Sequence, residues 1–247
     1  MTADNFKDVL IELGYGTDDF ENAALDASGN FMFCPDQVVA TIEICNDAGN
    51  VSAQWQDCFF EKSERGSKEQ LELEKADFPT IVIVLESPHI SEFDYNGHRA
   101  IGPASGNTGN NIYKQFCESI VYYMTIEKNG KKTYSVKRGD IETNVYCVAL
   151  VNAVQFQCSL GDLSDKQRRD RIFLAAFKKE QKDFITRLAR YDPTIIINAC
   201  TKGVGKDNLQ ENVQCVIDQS TLRGRLLFRS NHPSSSKFKN SIRRHFR

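Results

Sequence analysis

The sequence predicts an α/β protein: a three-layer α/β/α domain with a central, mostly parallel four-stranded sheet, preceded by an N-terminal α+β extension. Three observations carry this. From residue 80 onward, four short apolar runs recur: IVIVLE (81–86), VYCVALV (145–151), TIIINAC (194–200) and RLLFRS (225–230). Amphipathic stretches at about 107–126, 164–190 and 202–212 alternate with them. Apolar strands separated by helices are the pattern of a parallel sheet covered on both faces. Before residue 80 the pattern differs, and the chain is markedly acidic there.

In chain order, Phe6, Val9, Leu10 and Leu13 fall at helical spacing and predict a helix over 4–13. Val38, Ala40, Ile42 and Ile44 alternate, turn residues follow at 46–50, and Val51, Ala53 and Trp55 alternate again, so 37–60 reads as a β-hairpin. The polar stretch 61–77 reads as a linker with a short helix. A last helix is expected over 235–246, with Phe238, Ile242 and Phe246 on one stripe and Lys239, Arg243 and Arg247 on the next. The domain boundaries follow: an acidic extension over 1–79 and the α/β domain over 80–247.

Composition narrows the class. The 247 residues are 40% hydrophobic and 26% charged, which suits a globular chain with a full core. No apolar run approaches the length of a membrane span, and the N-terminus lacks the pattern of a secretory signal. The eight cysteines are scattered singly with no C-x-x-C pair, as expected of reduced thiols in a cytoplasmic protein without a zinc or iron–sulfur site. No metal and no cofactor are expected, and the chain is expected to be a monomer.

The net charge of −2 conceals a gradient: residues 1–80 hold 17 acids and 5 bases, and the 27 residues from Thr221 hold eight Lys or Arg and no acid. Such a run is either a solvated basic face or a rail for a polyanion.

In open α/β sheets ligands gather beyond the C-terminal ends of the strands. The segments to inspect are therefore Glu86-Ser87-Pro88-His89, Asn152-Ala153-Val154-Gln155, Cys200-Thr201-Lys202-Gly203 and Asn231-His232-Pro233-Ser234. They bring a carboxylate, an amide and an imidazole to one edge. The loop Pro103–Gly109 is rich in small polar residues, among them Ser105 and Asn107, but has no P-loop lysine, which argues against a nucleoside triphosphatase.

In these segments the chain resembles the uracil-DNA glycosylase superfamily, in the branch whose motifs run G-E-A-P-G, G-R-P-F-x-G, N-V-V-K-C-R-P and H-P-S. Leu85 to His89 matches the first, Gly97 to Gly102 the second, Asn152 to Gln155 the third and His232 to Ser234 the fourth, in order over about 80–247. The resemblance implies a DNA glycosylase that flips a base and breaks its N-glycosidic bond. It implies His232 as donor to the leaving base, Asn152 as reader of the base edge, and Glu86 as the group that activates water or steadies the cationic sugar. Asn152 equally suits a strand-end cap, and Glu86 an ion pair with Arg99.

Three departures bear on substrate. Ser87 stands where the best-known members carry a water-activating Asp, His89 replaces the aromatic that crowds the uracil C5 position, and Ala100 replaces the Phe that stacks on the base. The pocket of Ser87, His89 and Ala100 is thus expected to admit a bulkier base, such as glucosylated hydroxymethylcytosine of phage DNA, in an antiphage role. An ordinary uracil or deaminated-base repair enzyme is the second expectation and a catalytically inert DNA-binding module the third. A metal-dependent nuclease is disfavoured because the strand ends supply one carboxylate. DNA contacts are expected from Ser105, Asn107, Ser234, Ser235, Lys237, Lys239 and Arg243.

Overall fold

The computed structural model describes residues 1–245 apart from 48, 49, 75, 125, 129, 130, 134–143 and 163. The chain opens with helix α1 (Ala3–Glu12), capped by the Thr2 hydroxyl, and the hairpin β1 (Gln37–Asp47) and β2 (Asn50–Cys58). Helix α2 (Lys68–Leu73), capped by Ser67, leads to β3 (Thr80–Leu85) and a small ribbon of β4 (Phe93–Asp94) and β5 (Arg99–Ala100). Next come α3 (Asn107–Met124), a second ribbon of β6 (Ile126–Lys128) and β7 (Lys131–Thr133), and β8 (Asn144–Asn152). Helix α4 (Lys166–Arg190), β9 (Pro193–Asn198), α5 (Leu209–Gln219), β10 (Leu226–Arg229) and β11 (Arg243–Arg244) complete the fold.

The main sheet has seven strands in the order β11-β10-β9-β3-β8-β1-β2. The four strands expected from the apolar runs sit at its centre, mutually parallel as β10, β9, β3 and β8. The count exceeds four because both flanks add antiparallel strands. The hairpin pairs through β1 with β8, Gln37 opposite Leu150 and Ile44 opposite Asn144, and β11 pairs with β10. The acidic N-terminal segment thus continues the sheet of the α/β domain.

Strand β3 is buried on both faces, and its alternation sorts the core. Val82 and Val84 pack with residues of α1, α4 and α5, whereas Ile81, Ile83 and Leu85 pack with Ile112, Phe116 and Ile120 of α3. On α4, Phe173, Phe177 and Phe184 are buried, each contributing roughly 1.5–3 kcal/mol through removal from water.

Two expected helices come out differently. The stretch 202–212 is helical only from Leu209, because Gly203 takes φ +78° and Asn208 caps the helix by accepting from the Glu211 N–H. A Cβ at residue 203 would lie 2.6 Å from Asp170 Oδ2, so this turn requires glycine. The helix expected over 235–246 is absent among the described residues. In its place are a 3-10 turn, Phe238–Asn240, and the short strand β11. Ser241 explains the break: its hydroxyl donates to the Phe238 carbonyl and accepts from the Asn231 N–H, competing with a helical backbone. Phe238 and Ile242 are buried as the apolar stripe requires. Lys239, in the 3-10 turn, and Arg243, on β11, share no helical stripe, and Phe246 and Arg247 lie outside the described residues.

Candidate active site

Because β3, β9 and β10 run parallel, their C-terminal ends deliver Glu86, Thr201 and His232 to one edge of the sheet. They meet in a cleft of about 630 Å³, closed by the first residues of α3 and α4. Glu86 is buried at its wall. Its Oε2 accepts the Thr201 N–H at 2.8 Å and stands 3.8 Å from His232 Nε2, while Oε1 lies 3.9 Å from Arg169 Nη1. Arg169 is itself fixed by Asp170, whose other oxygen accepts the Val204 N–H at 2.7 Å. The carboxylate is thereby aimed by two loops and one helix.

The ring of His232 is oriented from behind. The Ser234 N–H donates to Nδ1 at 3.2 Å, and the Ser234 hydroxyl lies 2.7 Å from the same nitrogen. A nitrogen that accepts a backbone N–H carries the lone pair, so in the neutral ring the proton sits on Nε2, facing the cleft. His232 is a preorganised donor. His89, also on the cleft, is held in the same way: the Ser91 N–H donates to its Nδ1 at 3.2 Å, with Ser91 Oγ at 3.1 Å. Burial pushes its pKa down, and repulsion from His232 adds to this, against the attraction of Glu86.

Of the residues singled out from the sequence, Glu86, Ser87, His89, Asn107, His232, Ser234 and Ser235 line this cleft. Six others do not. Asn152 is fully buried behind it: Nδ2 donates to Glu92 Oε2 at 3.4 Å, the backbone N–H donates to Asp36 at 3.2 Å, and the carbonyl accepts from Arg187 at 3.1 Å. Ala100 lies on β5 and lines a separate shallow cleft with Met32, Phe33 and His98. The Ser105 hydroxyl is spent on the Gly102 carbonyl at 2.7 Å. Lys237 is exposed outside the cleft, Lys239 pairs with Glu118 at 2.5 Å, and Arg243 stands on the edge strand. Arg99, the partner considered for Glu86, pairs with Asp94 instead.

Sequence reasoning missed Arg169, Lys166, Ser91 and Glu92, all of which line the cleft. The spacing of Ser91 after His89, repeated by Ser234 after His232, was a readable signal. Glu92 was not, because nothing local marks it as buried. Burial raises its carboxyl pKa to about 7, against hydrogen bonds from the Ala104 and His89 backbone and from Asn152. Among the described residues no group of three or more His, Cys, Asp or Glu is arranged to hold a metal ion, and no helix is long and apolar enough to cross a membrane. Compared with protein families, curated proteins and solved structures, the chain matches none.

Proposed function

We propose that the chain is a DNA glycosylase that hydrolyses the N-glycosidic bond of a flipped pyrimidine and leaves an abasic site. The observation that carries this is the facing pair of Glu86 carboxylate and His232 Nε2–H, 3.8 Å apart across one cleft. Breaking the bond leaves positive charge on the sugar and an electron pair on the departing base. The carboxylate steadies the first, orients the water that adds to C1′ and takes its proton. The imidazole N–H meets the base oxygen where charge develops, and the base leaves as an anion that is protonated from solvent. Neither group needs to reorganise, since Thr201 and Arg169 hold one and Ser234 holds the other.

In this reading the domain has the three-layer α/β/α arrangement, works as a monomer in the cytoplasm, and grips DNA through Asn107, Ser234 and Ser235. Asn152 supports the cleft floor through Glu92 instead of touching the base. The bulky substrate no longer rests on Ala100. It rests on the cleft volume of about 630 Å³, within the range that takes a drug-sized ligand and ample for a pyrimidine with a sugar on C5. Glucosylated hydroxymethylcytosine in phage DNA is the proposed substrate.

The test is a panel of duplexes carrying uracil, hydroxymethylcytosine or its glucosylated form, scored for abasic sites with EDTA present. Release of the glucosylated base is the expected result; release of uracil alone makes the protein a repair glycosylase. His232→Ala should slow release by about 10²–10³-fold while DNA binding persists, the loss typical of one preorganised donor. Unchanged turnover in that variant overturns the assignment.

A further inference from the structure

The cleft holds two histidines built to one plan, and the proposed reaction uses one. Residues 89–91 and 232–234 each read His-x-Ser. In each, the serine N–H reaches Nδ1 at 3.2 Å and the serine hydroxyl flanks the same nitrogen. The unit at His89 is locked further by close packing: a Cβ on Gly106 would stand 2.3 Å from Ser91 Oγ. His89 caps the turn Ile90–Glu92, so its ring is fixed to the backbone that carries Glu92.

This geometry decides between two uses of an imidazole. A general base needs a lone pair facing its substrate, but the lone pair of His89 faces Ser91. What remains for the cleft is Nε2–H, which has no partner among the described residues. His232 differs in having Glu86 beside its Nε2, whereas His89 meets no carboxylate at hydrogen-bond distance among those residues. His89 is exposed on a wall shared with Asn107 and Thr108, so its fixed Nε2–H donates to solvent in the cleft and is open to an acceptor oxygen of a ligand that displaces that water.

We propose that His89 is a second binding residue of this cleft and that its Nε2–H holds an anionic oxygen of a phosphate group. Given the glycosylase reading on which this placement rests, His232 serves the leaving base and His89 takes a phosphate beside the nucleoside being cleaved. Burial and the neighbouring His232 both disfavour protonation of His89, so at neutral pH the donor is the uncharged ring. A neutral N–H to a phosphate oxygen is a charge-assisted hydrogen bond with direction as well as strength.

The experiment follows the imidazole ¹H–¹⁵N signals of the full chain at pH 7.5 during titration with inorganic phosphate, and separately with an oligonucleotide containing an abasic site. The His89 Nε2 signal should move in both arms. Movement with inorganic phosphate alone keeps the phosphate chemistry but assigns it to a small phosphorylated molecule instead of DNA. His89→Ala should raise the oligonucleotide Kd about tenfold, the size expected of one charge-assisted hydrogen bond. His89→Gln, which returns an N–H near the Nε2 position, should stay within about threefold of the parent. A His89 signal that stays still in both arms, or an Ala variant that binds as the parent does, overturns the proposal. The two readings fail separately: base release with an indifferent His89 removes only the phosphate site, and phosphate binding without release of any base removes only the glycosylase.

Discussion

Two polar regions lie back to back at the C-terminal edge of the sheet. In front, Glu86, His89 and His232 are aimed by their neighbours yet keep capacity directed into the cleft. Behind, Asn152, Glu92, Asp36 and Arg187 bond mainly to one another, with Arg187 Nε on Asp183 and the buried Asn152 Oδ1 left without a partner among the described residues. Arg187 alone donates to Asp36 at 2.5 Å, to the Asn152 carbonyl at 3.1 Å and to the Ala153 carbonyl at 3.2 Å. Both regions are rich in titratable groups, and both follow strand ends. What separates them is where unused hydrogen-bonding capacity points: into the open cleft in front, and into the packed interior behind.

Breaking the rear region should therefore cost stability before anything else. Arg187→Ala leaves Asp36 buried without its cation and two carbonyls without donors. A loss of about 3–5 kcal/mol is expected, read from urea unfolding. A loss below about 1 kcal/mol would mean that the rear network carries no more weight than a surface pair.

Glu92 sharpens the comparison because it belongs to the rear network and touches the cleft. Its carboxyl titrates near pH 7 in the folded chain against an ordinary 4.5, so between those values the folded state binds the extra proton. The stabilisation is complete below about pH 4.5 and is lost as pH rises toward 7. Glu92→Gln, neutral throughout, should gain on the parent across that window, reaching about 3 kcal/mol above it. A difference between the two proteins that stays flat with pH would show that the carboxyl is solvated.

The smallest effect is expected at the basic C-terminal segment. Lys239 already pairs with Glu118 and Arg243 stands on an edge strand, so they form no continuous rail. Reversing both to Glu should lower the salt slope of DNA binding by at most about 0.9 for each phosphate no longer neutralised, and Lys239→Glu alone should change it least.

The sequence made the central sheet legible because β3, β8, β9 and β10 are apolar on both faces and need no tertiary information to be seen. It also brought Glu86 and His232 together through the rule that parallel strands deliver their ends to one edge. It did not show that Asn152 stops short of the cleft: the strand end is right, but the side chain is fully buried and bonded to Glu92, a partner 60 residues away that no local pattern marks. Ala100 failed differently, since β5 folds away on its own ribbon with β4. The apolar period of the terminal segment predicts a helix, and Phe238 and Ile242 are indeed buried, but three residues of backbone held by Ser241 override that period.

The hairpin has a consequence for the order in which the molecule can be made. Strand β1 leaves the ribosome early, yet its sheet neighbour β8 is synthesised about a hundred residues later. Until then the apolar face of residues 37–58 has no sheet to join, and β3, the strand on the other side of β8, waits as well. Closure of the sheet thus depends on a pairing of high sequence separation, the kind that slows folding and exposes strand edges to other chains. Three acids, Glu43, Asp47 and Asp57, lie on that waiting segment and fourteen more on the rest of the first 80 residues, a like charge that opposes association of nascent copies.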